Sequence, residues 1–353
     1  MKTILDLPRK YKEFSKEDKE AFDRIYSFKE RTGELILTNE MKPMVKKQFG
    51  SISKVEKQKI LRVDNKWMFQ GTLFNSIRAN RPISTKHSVT KNDLKKMYEK
   101  EFFSKPLINT PEDVFGRIKS KHCVTCSNFA KYDAVHGLTI FKEPNPLKIS
   151  KEAFKDHVET SLKWFEKAIN YKQEFVFPII GWNSLWKAGA SLVHGHFQLL
   201  LGEDAYGYAK KLNHTRLEYA KLEVRNYFDD LYDIHKKLGL GKEVAKIKYF
   251  SCINPRRGKD IMIIGKELNG SFINLLYKII NTLITKSGMD SFNMNIVLPP
   301  LNYLKEWEGF PVIAHVLSRG SLSNNTSDIG VMEILNDQYV VSDDPCKIWE
   351  LIK

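Results

Sequence analysis

The segment His194-Gly195-His196-Phe197-Gln198-Leu199-Leu200-Leu201 constrains this chain more than any other. It reads as a strand whose polar side chains recur two apart, so His194, His196 and Gln198 project from one face and the apolar residues from the other. Imidazoles and an amide beside a leucine-rich strand end are costly to bury unless something polar meets them. Three readings are open for the histidine pair: shared zinc ligation, a structural pair bonded to carbonyls, or nucleophilic catalysis by a neutral ring nitrogen. Just upstream, Ala188-Gly189-Ala190-Ser191 is a small-residue turn that lets a phosphate approach the backbone.

Charge narrows the ligand class. The 353 residues carry a formal charge of +15, which favours anionic partners such as nucleotides and sugar phosphates. The lysines are dispersed in pairs rather than gathered in a stripe, which argues against sequence-specific nucleic-acid binding. A start without a signal-type apolar region, no membrane-length apolar run, and four cysteines without a disulfide pattern lead us to expect a cytoplasmic protein with no membrane partner.

Other residues suit phosphate chemistry. Arg78 and Arg81 lie three apart where a strand over 60–74 empties into a loop before Pro82; they are either surface charges or a guanidinium fork for phosphate. Cys123-Val124-Thr125-Cys126, with His136 soon after, is either a redox pair, chance, or part of a structural zinc site.

Periodicity predicts strand, helix, strand, loop and histidine strand between His136 and Leu201, with Ser150 capping the helix. A weaker version of this order recurs over 249–317, with His315 in place of the pair. A helical stretch over about 205–238 separates the two. An α+β chain is expected: residues 1–59 a helical extension, 60–204 a first unit with the active site, and 205–353 a linker helix and a degenerate second unit.

Taken together in order, these pieces resemble the galactose-1-phosphate uridylyltransferase family, a branch of the histidine-triad superfamily related to ADP-glucose and diadenosine tetraphosphate phosphorylases. Arg78-Ala79-Asn80-Arg81-Pro82 looks like its arginine loop, and Cys123-x-x-Cys126 like its zinc half-site. Asn183 with Gly189 and Ser191 is similar to its nucleotide loop. His194-Gly195-His196-Phe197-Gln198 is similar to its His-x-His-x-Gln signature, with Gly195 where the family usually carries Pro. Ile329-Gly330-Val331-Met332-Glu333 looks like its late Gly-x-x-Glu stretch.

The resemblance implies two histidine-triad-like units, each an antiparallel sheet packed with helices. It also implies nucleotidyl transfer through a covalent intermediate. His196 would be the nucleophile, with Gln198 and Ser191 serving the phosphoryl group. Arg78, Arg81, Asn183, Gly189 and Glu333 would bind substrate, and Cys123, Cys126, His136 and His194 would hold structural zinc. The expected partners are a nucleotide sugar or dinucleoside polyphosphate, then a sugar phosphate or inorganic phosphate, with a homodimer paired through an exposed sheet edge. The rivals are a phosphorylase or hydrolase of the same substrates, and a catalytically idle nucleotide- or RNA-binding protein.

Overall fold

Strand β6 (Phe177–Ser184) alternates half-exposed and buried residues along its length. Period-two burial of this kind marks a sheet with one covered face and one open face. In the computed structural model, which describes residues 1–80, 91–324 and 326–353, β6 belongs to a sheet of nine strands, some alternating in this way and others buried throughout. They are β4 (Cys123–Ser127), β5 (Val135–Phe141), β6, β7 (His196–Gly202), β8 (Gly241–Val244), β9 (Ile247–Ser251), β10 (Ile261–Gly265), β11 (Phe292–Val297) and β12 (Val312–Ser318). Their order across the sheet is β4-β5-β7-β6-β11-β12-β10-β9-β8, with every neighbour antiparallel. From the β6–β11 junction outward, β6-β7-β5-β4 is mirrored by β11-β12-β10-β9, the internal repeat expected from the sequence. The class is α+β, as expected.

Two long helices cover one face. Lys151–Tyr171 begins at Ser150, whose hydroxyl accepts the Ala153 N–H, and buries Phe154, Val158, Trp164 and Phe165 against the first half. Phe141 stacks on His157 at 3.9 Å, and Phe154 meets Phe197 edge-on, which fixes the inward face of β5 and β7. Gly270–Ser287 packs Phe272, Leu276, Ile279 and Leu283 on the second half. On the opposite face, Gly207–Glu223 and Tyr227–Lys237 replace the single expected linker helix, broken where Val224 takes a positive φ.

A second sheet departs from the expected boundaries. β1 (Tyr26–Glu34), β2 (Lys57–Asn65), β3 (Gln70–Asn75) and β13 (Gln338–Val341) pair in the order β1-β2-β3-β13. Residues 1–59 are therefore not purely helical, and 60–75 join the segments before residue 57 and after residue 337 rather than the first unit. Besides β2, β3 pairs with β13, in parallel register with Tyr339 opposite Thr72. Local periodicity carries no information about such a long-range pairing.

Candidate active site around His196

The carbonyl of His194 lies 2.8 Å from His196 Nδ1, so that nitrogen carries the proton and donates. Nε2 is then the atom with the free lone pair. Its neighbour is Gln198 Nε2 at 3.1 Å. The amide is itself oriented by a relay from β5. The Tyr132 N–H donates to His136 Nδ1 at 3.2 Å, which leaves the His136 proton on Nε2. That proton goes to Gln198 Oε1 at 2.7 Å and turns the Gln198 NH2 toward His196. Asn128 Nδ2 adds a longer contact to Gln198 Oε1 at 3.4 Å.

Burial drives the His196 pKa down to about 4, with His194 and His136 adding repulsion. The ring is only 4% exposed and lies edge-on to Phe103 at 5.1 Å. A neutral imidazole with one tautomer fixed by a carbonyl is equipped to act as a nucleophile through its other nitrogen.

Gly195 explains its own departure from proline. A Cβ there would sit 2.4 Å from the Phe141 ring, and the Gly195 N–H donates to the Pro144 carbonyl at 2.8 Å. Proline would lose that bond and collide with Phe141.

The loop over 185–195 is held under backbone strain. Leu185 is buried with φ 67° and ψ 173°, a region almost reserved for glycine. Gly189 follows at φ 92°. Asn293 Nδ2 holds the loop by donating to the Ala188 carbonyl at 2.9 Å and to Asn183 Oδ1 at 2.7 Å. Glu101 accepts the N–H groups of Val193 and His194 at 2.7 and 2.8 Å. Ser191 is exposed on this loop.

The expected zinc quartet does not assemble. Cys123 and Cys126 are three apart on β4, and an odd spacing on a strand sends side chains to opposite faces. Cys123 turns toward the long helix, 3.8 Å from the Asp156 carboxylate, while Cys126 packs with Leu138, Ile140 and Phe103 on the other side. Burial pushes both thiols up to about 11. His136 spends both nitrogens in the relay. His194 Nε2 donates to the Phe141 carbonyl at 2.8 Å, so it braces the strand by a hydrogen bond. Among the described residues, one group of donor atoms that could hold a metal lies within 4.8 Å: Cys252, Asp260 and His315, all buried in the second half.

Arg78 and Glu333 come together elsewhere. Both line a cavity of about 800 Å³ that also takes in Lys187 and Arg257 but not His196. The Glu333 carboxylate accepts the N–H groups of Gly330 at 2.9 Å and Val340 at 3.1 Å, so it caps its own helix and ties it to β13. Arg81 lies outside the described residues. The sequence reading missed Glu101, Asn128 and Asn293. The one available hint was the polar alternation of Asn293 and Asn295 on a strand that otherwise reads as core.

No family model matches the chain, and no curated protein matches it in sequence. Solved structures do match its fold. An ADP-glucose phosphorylase from Arabidopsis thaliana with bound ADP-glucose superposes at TM-score 0.62 and 12% identity, covering 81% of this chain and 96% of that one. A galt-like protein from the same plant gives TM-score 0.59 at 14% identity over 81% and 95%. A uridylyltransferase gives 0.55 at 11% identity over 69% and 87%. The likeness is one of fold and agrees with the resemblance read from the motifs. No helix among the described residues is long and apolar enough to cross a membrane.

Proposed function

We propose that the protein is a nucleotidyltransferase or phosphorylase that passes a nucleoside monophosphate between phosphate acceptors through His196. The observation that carries this reading is the geometry of that ring: Nδ1 tied to the His194 carbonyl, and Nε2 beside the Gln198 amide in buried surroundings that keep it neutral. Nε2 attacks the α-phosphorus of a nucleotide sugar or dinucleoside polyphosphate. An N–P bond forms, the P–O bond to the leaving phosphate breaks, and that phosphate departs with the electron pair. An oxygen of a second phosphate, from a sugar phosphate or inorganic phosphate, then attacks phosphorus and returns the lone pair to Nε2. Gln198 swings its N–H from the ring to the phosphoryl oxygen as charge grows there. The strained loop presents Ser191 to the nucleotide, and Asn183, near the end of β6 and held by Asn293, meets it from the sheet. Arg78 and Glu333 act on a more distant part of the substrate, in keeping with the cavity they share.

Zinc at Cys123, Cys126, His136 and His194 has no part in this reading, since their side chains are separated or already engaged. The test is incubation with labelled ADP-glucose, UDP-glucose and diadenosine tetraphosphate, followed by assay for an acid-labile, base-stable protein label. Label in the wild type and none in His196→Asn is the expected result. Label that persists in the variant overturns the assignment. Release of the label by inorganic phosphate distinguishes the phosphorylase from a transferase that requires a sugar phosphate.

A further inference from the structure

His315 stands in the second half of the sheet where His196 stands in the first. Val312-Ile313-Ala314-His315 matches Val193-His194-Gly195-His196 in spacing, and both histidines lie on the strand next to the central pair β6–β11. Cross-strand partners carry the two centres onto one face: Gln198 lies opposite Gly181, Gly181 opposite Asn295, and Asn295 opposite His315. At roughly 4.8 Å per strand, Gln198 and His315 are about 14 Å apart. The residues between them are half-exposed, and a Cβ at Gly181 would touch only the Gln198 Cβ, at 3.8 Å.

Beyond Asn295 the face opens into a cavity of about 330 Å³. Arg256, Arg257, Arg319 and His315 line it with Tyr208 and Tyr339, and among the described residues no carboxylate does. Two of the arginines are already committed, since Arg257 and Arg319 share Asp328 at 3.4 and 2.8 Å. Arg256 is different. Its guanidinium lies over the Tyr208 ring at 4.4 Å and makes no hydrogen bond or ion pair with any described residue. Below it, buried Asp260 accepts the Arg256 backbone N–H at 2.9 Å and meets His315 Nδ1 at 3.1 Å. His315 Nε2 meets the Tyr208 hydroxyl at 2.8 Å. Asp260, Asp328 and Glu333 lie among the three guanidiniums, but none of these carboxylates lines the cavity, and Arg256 leaves an unused planar fork on its wall. A fork of that kind fits two oxygens of a phosphoryl group. A cation drawn to Cys252, Asp260 and His315 would instead face Arg256.

We propose that this cavity is a second phosphate-recognition site, which takes the phosphoryl group of inorganic phosphate or of a phosphomonoester no larger than a mononucleotide or hexose phosphate. It stands apart from the chemistry at His196. Arg256 grips two phosphoryl oxygens, Asn295 donates to a third, and the Tyr339 ring flanks the rest of the ligand.

The test is equilibrium titration of His196→Asn protein, and of the same protein with Arg256→Gln or Asn295→Ala added. The probes are inorganic phosphate, AMP, UMP, glucose 1-phosphate and the phosphate-free nucleosides. Saturable binding of at least one phosphate probe in His196→Asn is expected, weakened at least 10-fold by Arg256→Gln and several-fold by Asn295→Ala. The probe bound most tightly identifies the source of the phosphoryl group. Urea midpoints establish that each variant is folded, and Asn295→Ala alone decides the matter if Arg256→Gln is not. Equal affinity in the folded variants, absence of phosphate binding in His196→Asn, or nucleosides binding as well as nucleotides overturns the proposal. So does tight Zn²⁺ binding that Cys252→Ser abolishes and that excludes phosphate.

Discussion

His196 and His315 occupy matching strands of a repeated sheet, yet the two halves hold their histidines in opposite ways. In the first half, Nδ1 rests on a backbone carbonyl, no carboxylate is bonded to the ring, and burial leaves it neutral with Nε2 beside an amide. In the second half, Nδ1 rests on a buried carboxylate, and Nε2 is taken up by a tyrosine hydroxyl. Burial also holds the His315 pKa down, with Asp260 pulling the other way. The contrast teaches what a carbonyl is for. A carbonyl fixes the tautomer while favouring the imidazolium too weakly to offset burial, so the ring keeps its lone pair for attack. A carboxylate fixes the ring equally well but ties it into a charged structural network.

The sharpest way to break this contrast is His196→Asn. Nucleotide transfer should fall about 10,000-fold with little change in the urea midpoint, because the residue supplies the bond-forming nitrogen. Activity within 10-fold of wild type would end the comparison. On the other side, Asp260→Asn removes the anion that both Arg256 and His315 face, and should cost about 3 kcal/mol of stability by chemical denaturation. A neutral result would mean that the second half does not depend on its charged network. Gln198→Ala should slow formation of the protein label about 100-fold while leaving the label itself detectable, as expected for loss of one donor to a developing charge.

Titration extends the argument to pH. A His196 pKa lowered to about 4 keeps the nucleophile available well below the usual histidine range. The labelling rate per bound nucleotide should therefore hold from pH 8 to pH 5 and fall only as pH drops through about 4. A fall centred near 6.5 would show that burial does not control this ring. The smallest effect concerns the cysteines. If Cys123 and Cys126 face apart, the losses from Cys123→Ser and Cys126→Ser should add to within about 0.5 kcal/mol in the double variant. Strong coupling between them, together with bound zinc in purified protein, would restore the quartet.

Much of the first half was legible because its signals are local. The two-residue alternation at His194, His196 and Gln198, the Ser150 cap and the helical spacing of Phe154, Val158 and Phe165 all report on contacts within one element and its immediate neighbour. The expected quartet of zinc ligands stays apart for an equally local reason. A Cys-x-x-Cys on a turn converges on a metal, but on β4 the same spacing diverges. Arg256, Asp260 and Tyr208 carried no such signal. They come from a turn, a strand start and a helix, and meet only because β10 pairs with β12 and the helix Gly207–Glu223 crosses above. Glu101 was hidden in the same way, since its partners are two backbone N–H groups about 90 residues downstream.

The parallel pairing of β3 with β13 has a consequence for how the chain is made. Val341 lies beside Phe74, so a ribosome must add roughly 270 residues, about 13 to 50 s of synthesis at about 5–20 residues per second, before the four-stranded sheet can close. Throughout that interval the β3 edge is unpaired, with backbone groups and Phe74 open to other nascent chains. The last strand therefore acts as a late seal, and crowding on the polysome or a slow stretch of translation should decide how much of this protein reaches its native state.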